Sequence, residues 1–183
     1  MWKLIGIIRQ RVWHSFASAV IMAHYREVDS RFRLSKFSKP YALTGCTCIT
    51  KVKAWARKWK INEEEIAFVF EDGDKDKGDL IRCAQKHFNF TPVFLKKEKT
   101  AAFQAADLLA YEHLLANTQV CKRGDGVVTF DDLRQSLKEL STLPGGFEGN
   151  DWGVHREDDL TDSCIKEKIQ PRSERRLPSW GDD

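Results

Sequence analysis

The feature that most constrains the fold is a nearly continuous apolar run between Thr100 and Asn117, which directly follows a group of lysines. Its length and composition predict a helix that begins at a Thr100 cap and ends near Asn117. Because apolar residues surround such a helix, we expect it to be buried on most sides. Gln104, Asp107 and Tyr111 interrupt the run at positions i, i+3 and i+7, which places them in one polar stripe. A buried Asp107 would need a cation, a metal or several hydrogen-bond donors opposite it.

Helices and strands alternate through the rest of the chain. Apolar residues that recur every three or four positions predict helices, and short apolar runs predict strands. The predicted helices lie at 1–13, 41–60, 79–87 and 131–140. The predicted strands lie at 15–22, 66–70 and 90–95, with 66–70 as a central strand. This order predicts an α/β layered domain.

The composition changes at about Thr142, where Pro, Gly, Arg and Asp become frequent. Residues 171–183 contain little apolar material beyond Leu177 and Trp180. A segment of this kind buries too little apolar surface to offset the entropy of ordering it. We therefore expect one α/β domain over residues 1–141 and a loop-rich or disordered tail over residues 142–183.

The bulk composition limits the classes of protein to which the chain can belong. A net charge of +3 permits binding to a nucleic-acid backbone but does not require it. The five cysteines are scattered and follow no recognisable secretory signal, which favours a reducing compartment and a cytoplasmic location. No apolar run approaches the ~18 residues that a membrane-spanning helix needs, so we expect a soluble protein with no membrane partner.

An acidic group follows the predicted central strand, at Glu71, Asp72 and Asp74. Ligands in α/β sheets gather at the carboxyl ends of strands, and several carboxylates would converge there if the Asp107 helix packs over that end. Convergent carboxylates repel one another unless a divalent cation neutralises them, and Mg²⁺ and Mn²⁺ prefer such oxygen ligands. The residues alone leave two interpretations open: a metal site for phosphodiester chemistry, or a structural carboxylate at Asp107 beside a solvated acidic turn.

Three segments resemble the bacterial and phage family of unknown function DUF3800. They are Tyr41-Ala42-Leu43, the stretch FVFEDGD at 68–74 and the stretch FQAADLLAYE at 103–112, and the resemblance extends over roughly residues 5 to 140. It implies a ribonuclease H-like fold, in which helices flank a mixed sheet. It also implies that Glu71, Asp72 and Asp107 are catalytic residues that bind Mg²⁺ or Mn²⁺.

Three further residues are candidates for substrate binding under this resemblance. Gln104 would orient a metal ligand or a substrate phosphate. Lys96 and Lys97 would bind phosphate or pair with the acidic turn, although a charge run at a helix entrance is usually only solvated. The implied function is a divalent-metal-dependent nuclease or phosphodiesterase that acts on DNA or RNA.

Family members begin with a strand that carries an Asp-Glu or Asp-Asp pair, and the residues before Trp13 contain no such pair. We therefore expect an N-terminally truncated member that lacks the usual first strand, which removes one metal ligand and exposes a sheet edge. A partner or a second copy would then cover this edge. A chain truncated in this way can also be catalytically inactive. The alternative function is a non-catalytic binding or assembly module of a mobile-element or defence locus.

Overall fold

A computed structural model describes residues 2–123, 133–141 and 150–169, in which seven α-helices and four β-strands occur. In chain order they are α1 (Trp2–Arg11), β1 (Ser15–Val20), α2 (Met22–Phe32), α3 (Pro40–Lys58), β2 (Val69–Glu71), α4 (Lys77–Phe88), β3 (Val93–Leu95), α5 (Ala102–Arg123), α6 (Gln135–Ser141), β4 (Asn150–His155) and α7 (Glu157–Lys166). The predicted α/β composition is therefore confirmed.

The described strands form two parallel pairs. β1 pairs with β4 from Ser15 opposite Asn150 to Val20 opposite His155. β2 pairs with β3 and has only this neighbour among the described residues. The central strand predicted at 66–70 is instead the three-residue strand β2, because the extended chain after Ile66 pairs with β3 only from Val69 to Glu71. A single mixed sheet of ribonuclease H-like type stays a prediction.

Local sequence signals determine where α3 and α4, the two helices beside the β2/β3 pair, begin and end. Pro40 lies in the first turn of α3, where its fixed φ suits a helix start. Leu80 and Ala84 lie one turn apart on α4 and are fully buried. Asn89 ends α4 in the left-handed conformation that commonly terminates helices. These two helices confirm the predictions for 41–60 and 79–87.

The tail prediction is wrong for residues 150–169, which contain β4 and α7. β4 gains backbone hydrogen bonds by pairing with β1. Helix α7 packs one face against α2 and leaves Ile165 exposed. Leu160 and Cys164 are fully buried there, in a cluster with Tyr25 and Val28 of α2. Average composition underestimates such a helix because four well-placed apolar contacts suffice to dock it. Residues 142–149 and 170–183 lie outside the described part.

Buried apolar residues form three clusters, each with its own set of elements. α1, α5 and α6 enclose one, α2 and α7 the second, and α3 and α4 the third, against the phenylalanines of the β2/β3 pair. α3 contacts both β1 and α4, so it links the two parallel pairs. Among the described residues, no helix is long and apolar enough to cross a bilayer.

A disulfide joins Cys46 of α3 to Cys83 of α4, with Cα atoms 6.8 Å apart. This differs from the expectation of reduced cysteines, because two cysteines far apart in sequence meet where the two helices pack together. Disulfides are uncommon in reducing compartments. The cytoplasmic location therefore stays a prediction.

Candidate functional site

The carboxyl ends of β2 and β3 meet at one edge because the two strands run parallel. Glu71 ends β2, and the backbone N–H of Asp72 donates to the carbonyl of Leu95 at 2.8 Å, which extends the pairing beyond the strand. Lys96 and Lys97 follow β3 directly. The predicted acidic and basic site residues therefore share one edge of this sheet.

Helix α5 brings Asp107 to this edge, where its carboxylate forms an ion pair with the ammonium group of Lys97. The side chain of Asp107 is 48% exposed, and Gln104 and Tyr111 are also exposed. The predicted polar stripe exists, but its predicted burial is wrong because α5 packs only its other face, which includes Phe103. The helix also runs to Arg123, beyond its predicted end at Asn117.

Lys97 is the cation at the centre of the predicted ligand set. Its hydrogen bond to Asp107 is the main cause that raises the pKa of the Lys97 ammonium group, and the charges of Asp107 and of Glu71 add to it. Two of the three predicted metal ligands are therefore within electrostatic range of one ammonium group. The arrangement holds a positive charge where the sequence analysis expects a metal ion.

The third predicted ligand, Asp72, pairs with a different lysine. Lys77 donates to the carboxylate of Asp72 at 2.6 Å, and this hydrogen bond is the main cause that lowers the pKa of Asp72. The charge of Lys96 contributes in the same direction but more weakly. Lys96 therefore lies near the acidic turn, in accord with one of the alternatives expected for it.

Tyr41, in the first turn of α3, also belongs to this neighbourhood. Burial raises the pKa of its phenol, and the charges of Asp74 and Glu71 raise it further. The residue before α3, Lys39, forms ion pairs at 2.8 Å with Asp76 and at 3.3 Å with Asp79. The start of α3 is thereby held against the acidic turn and the start of α4.

The donor chemistry of this cluster suits Mg²⁺ or Mn²⁺, because Glu71, Asp72 and Asp107 offer only oxygen atoms. Nevertheless, no three His, Cys, Asp or Glu side chains in the described ranges lie close enough to share an ion. Lysine ammonium groups hold Asp72 and Asp107 instead. These ion pairs are open to water, which screens them, so they oppose a competing divalent ion only weakly. An ion would require the lysines to turn away and the carboxylate side chains to move closer together.

The buried carboxylate of α5 is Glu112, which the sequence analysis did not single out. Its side chain is 1% exposed, and its Oε1 lies 3.7 Å from Nη1 of Arg134. The adjacent His113 is 7% exposed, and burial lowers the pKa of its imidazole to about 4. Helical spacing contains the signal for Glu112, since it shares a face with Ala105, Leu108 and Ala116, which pack in the cluster of α1 and α6.

A cavity of about 330 Å³ between α3, β4 and α7 was also missed. The hydroxyl of Thr47 donates to the carbonyl of Leu43 at 2.9 Å, so it accepts from Nε2 of His155 at 3.0 Å. Burial lowers the pKa of His155, which favours the neutral ring. No sequence signal indicates this cavity, because residues 150–155 fall in the segment predicted to be a loop-rich tail.

In comparisons with known proteins, no family model, curated protein or solved structure matches the chain. The resemblance to DUF3800 therefore stays a prediction. The cluster at the ends of β2 and β3 is interpreted from its geometry alone.

Proposed function

We propose that the protein is a divalent-metal-dependent nuclease or phosphodiesterase whose site is the cluster at the carboxyl ends of β2 and β3. One observation carries the proposal: the ammonium group of Lys97 contacts Asp107 and lies within electrostatic range of Glu71. This position already attracts a cation, and the charges of two predicted oxygen ligands, Glu71 and Asp107, act on it. A divalent ion would be attracted more strongly there, since it carries twice the charge.

Glu71, Asp72 and Asp107 would hold Mg²⁺ or Mn²⁺ in this proposal. When bound, the ion would supply charge neutralisation at the phosphodiester and lower the pKa of a water molecule. The ends of β2 and α5 fix the backbone positions of the three carboxylates. Their side chains would turn from the lysines toward the ion.

The lysines released in this exchange would bind the substrate. Lys96 and Lys97 follow β3 at the same edge, and a lysine ammonium group is a common partner of phosphate oxygens. Gln104 lies one turn before Asp107 on the exposed face of α5, where its amide can donate to a phosphate oxygen. These three residues would position a nucleic-acid backbone, and a net charge of +3 agrees with such a substrate.

The proposal includes membership of DUF3800 and a ribonuclease H-like ancestry of the fold. Its support is that the three segments of the resemblance come together in space. Tyr41 of the first segment lies within electrostatic range of Glu71 and Asp74 of the second. Asp107 of the third segment shares Lys97 with Glu71. Segments that are far apart in sequence and share one site are expected of a common functional origin.

A second candidate is a non-catalytic module that binds nucleic acid or a partner through the same edge. The observation that favours it is the pairing of Asp72 and Asp107 with Lys77 and Lys97, which leaves the predicted ligands neutralised without an ion. In this case the lysines would contact phosphate, but no hydrolysis would follow.

Thermal unfolding with and without Mn²⁺ tests metal binding. An ion at 100 times its Kd stabilises a protein by about 2.7 kcal/mol, and each kcal/mol shifts the Tm of a chain of this size by about 2–4 °C. We expect Mn²⁺ to raise the Tm of the wild type and of Asp158→Asn, a control on an exposed carboxylate of α7. The rise should disappear in Asp107→Asn. If the wild type shows no rise, the cluster does not bind the metal.

Incubation of labelled single-stranded and branched nucleic acids with Mn²⁺ separates the two candidate functions. Cleavage by the wild type that is lost in Asp107→Asn supports the hydrolase. Binding that depends on Lys96 and Lys97 without any cleavage supports the non-catalytic module.

A further inference from the structure

A cavity of about 320 Å³ lies at the amino end of β2, away from the cluster at its carboxyl end. Its apolar wall consists of Ile66 and the three phenylalanines Phe68, Phe88 and Phe90. The rings of Phe68 and Phe90 are stacked with centroids 4.9 Å apart, and those of Phe88 and Phe90 are 6.3 Å apart. All three are only half-buried, although they pack against a cluster that includes the fully buried Leu80. The wall therefore offers aromatic surface on which a planar ring can stack.

Charged groups surround this aromatic wall. Lys53 donates to Glu63 at 2.9 Å, and its ammonium group lies 5.7 Å and 5.6 Å from the ring centroids of Phe88 and Phe90. Arg57 donates to the other oxygen of Glu63 at 2.7 Å, so the exposed Glu64 is the carboxylate of the rim that can accept from a ligand. Carboxylates accept hydrogen bonds and repel phosphate, so they favour a ligand whose edge carries an amino group. Lys53 adds a donor for a ring nitrogen or a carbonyl oxygen on the same edge.

A planar ring with an amino group and a neighbouring acceptor describes a nucleobase such as cytosine or adenine. Phe68 and Glu71 are three residues apart, which is about 10 Å along an extended strand. A nucleic-acid chain with one base in the cavity can therefore extend toward the cluster of Glu71 and Lys97. A base inside a duplex cannot enter such a cavity without being unpaired and unstacked.

We infer that the cavity of Phe68, Phe88 and Phe90 binds an unpaired, amino-bearing nucleobase, so that the substrate is single-stranded nucleic acid. The choice of nucleic acid rests on the function proposed above. The stacking wall and the acidic rim together determine the preference for cytosine or adenine over uracil.

Nucleosides test the cavity separately from the cluster because they carry a base but no phosphate. Saturation-transfer NMR with cytidine, adenosine and uridine measures which bases bind. We expect binding of cytidine and adenosine, with uridine at least about fivefold weaker. Phe90→Leu should weaken cytidine binding by about fivefold or more, while Phe94→Leu should not, since Phe94 lies on β3 outside the cavity. Equal binding of uridine, or no binding of any nucleoside, overturns the inference.

If Phe90→Leu does not fold, a substitution at the exposed Glu64 tests the cavity instead. Glu64→Gln replaces a carboxylate on the surface, and it should reduce the preference for cytidine over uridine at unchanged stability. An unchanged preference overturns the assigned role of the rim.

The manganese experiment distinguishes the two proposals. Cytidine binding without any shift of Tm by Mn²⁺ keeps the nucleobase cavity and overturns the metal site. A shift of Tm by Mn²⁺ without nucleoside binding keeps the metal site and overturns the cavity.

Discussion

Replacement of the buried Glu112 by methionine is expected to stabilise the protein. Neither carboxylate oxygen of Glu112 has a hydrogen-bond partner among the described residues, and the ion pair with Arg134 spans 3.7 Å. Desolvation of a carboxylate costs several kcal/mol, and a long ion pair to a half-exposed arginine offsets only part of this cost. Methionine has a similar shape and no charge. Exchange of buried ionic groups for apolar ones of similar volume stabilises proteins by about 1–4 kcal/mol, which corresponds to a rise in Tm of at least about 2 °C here.

Urea denaturation followed by circular dichroism measures this change in the free energy of unfolding. Arg134→Met is the matched control, because Arg134 is 44% exposed and can be solvated without its partner. The double variant completes the cycle, in which we expect a coupling energy below about 1 kcal/mol. If Glu112→Met loses 1 kcal/mol or more, the reasoning is refuted, and Glu112 must then receive hydrogen bonds that stabilise its charge.

Two further predictions concern the disulfide between α3 and α4 and the buried His113 of α5. A cross-link across 37 residues contributes about 4 kcal/mol by its effect on the entropy of the unfolded chain. Reduction with dithiothreitol should therefore destabilise the wild type by up to this amount and leave a Cys46→Ser/Cys83→Ser variant unchanged. An unaltered urea midpoint of the wild type would contradict the disulfide. Because burial lowers the pKa of His113 from 6.5 to about 4, the unfolded chain binds a proton between these pH values that the native state does not. Stability should therefore fall by up to about 3 kcal/mol as the pH drops from 6.5 to 4. Urea midpoints across this range should show a smaller decrease for His113→Gln, and an equal decrease would contradict the assignment.

The elements with strong local signals were predictable from the sequence. Helical spacing identified α3 and α4, and the short apolar run at Ser15 identified β1, because each of these patterns is contained within one element. β4 was missed since its stability comes from pairing with β1, more than a hundred residues earlier in the chain. The apolar run of β1 is visible in the sequence, but residues 150–155 contain no comparable run, so they look like part of a tail.

The sequence predicts which residues lie near one another at this sheet edge, but not how exposed they are. Glu71, Asp72 and Asp107 do lie near Lys96 and Lys97, and their role as a site stays a prediction. The burial of Asp107 was wrong, because counting apolar residues does not reveal which side of a helix meets other elements. Glu112 shares the packed face instead.

The exposure of Asp107 and the burial of Glu112 bear directly on function. A buried Asp107 would need its cation permanently, and Lys97 would then serve the stability of the fold. Because both side chains are about half exposed, water solvates each of them when the pair opens, and the fold does not depend on the contact. In the proposed function, Asp107 would exchange Lys97 for a metal ion, and Lys97 would exchange Asp107 for a phosphate. Glu112 is buried on the packed face of α5, so it has no such freedom.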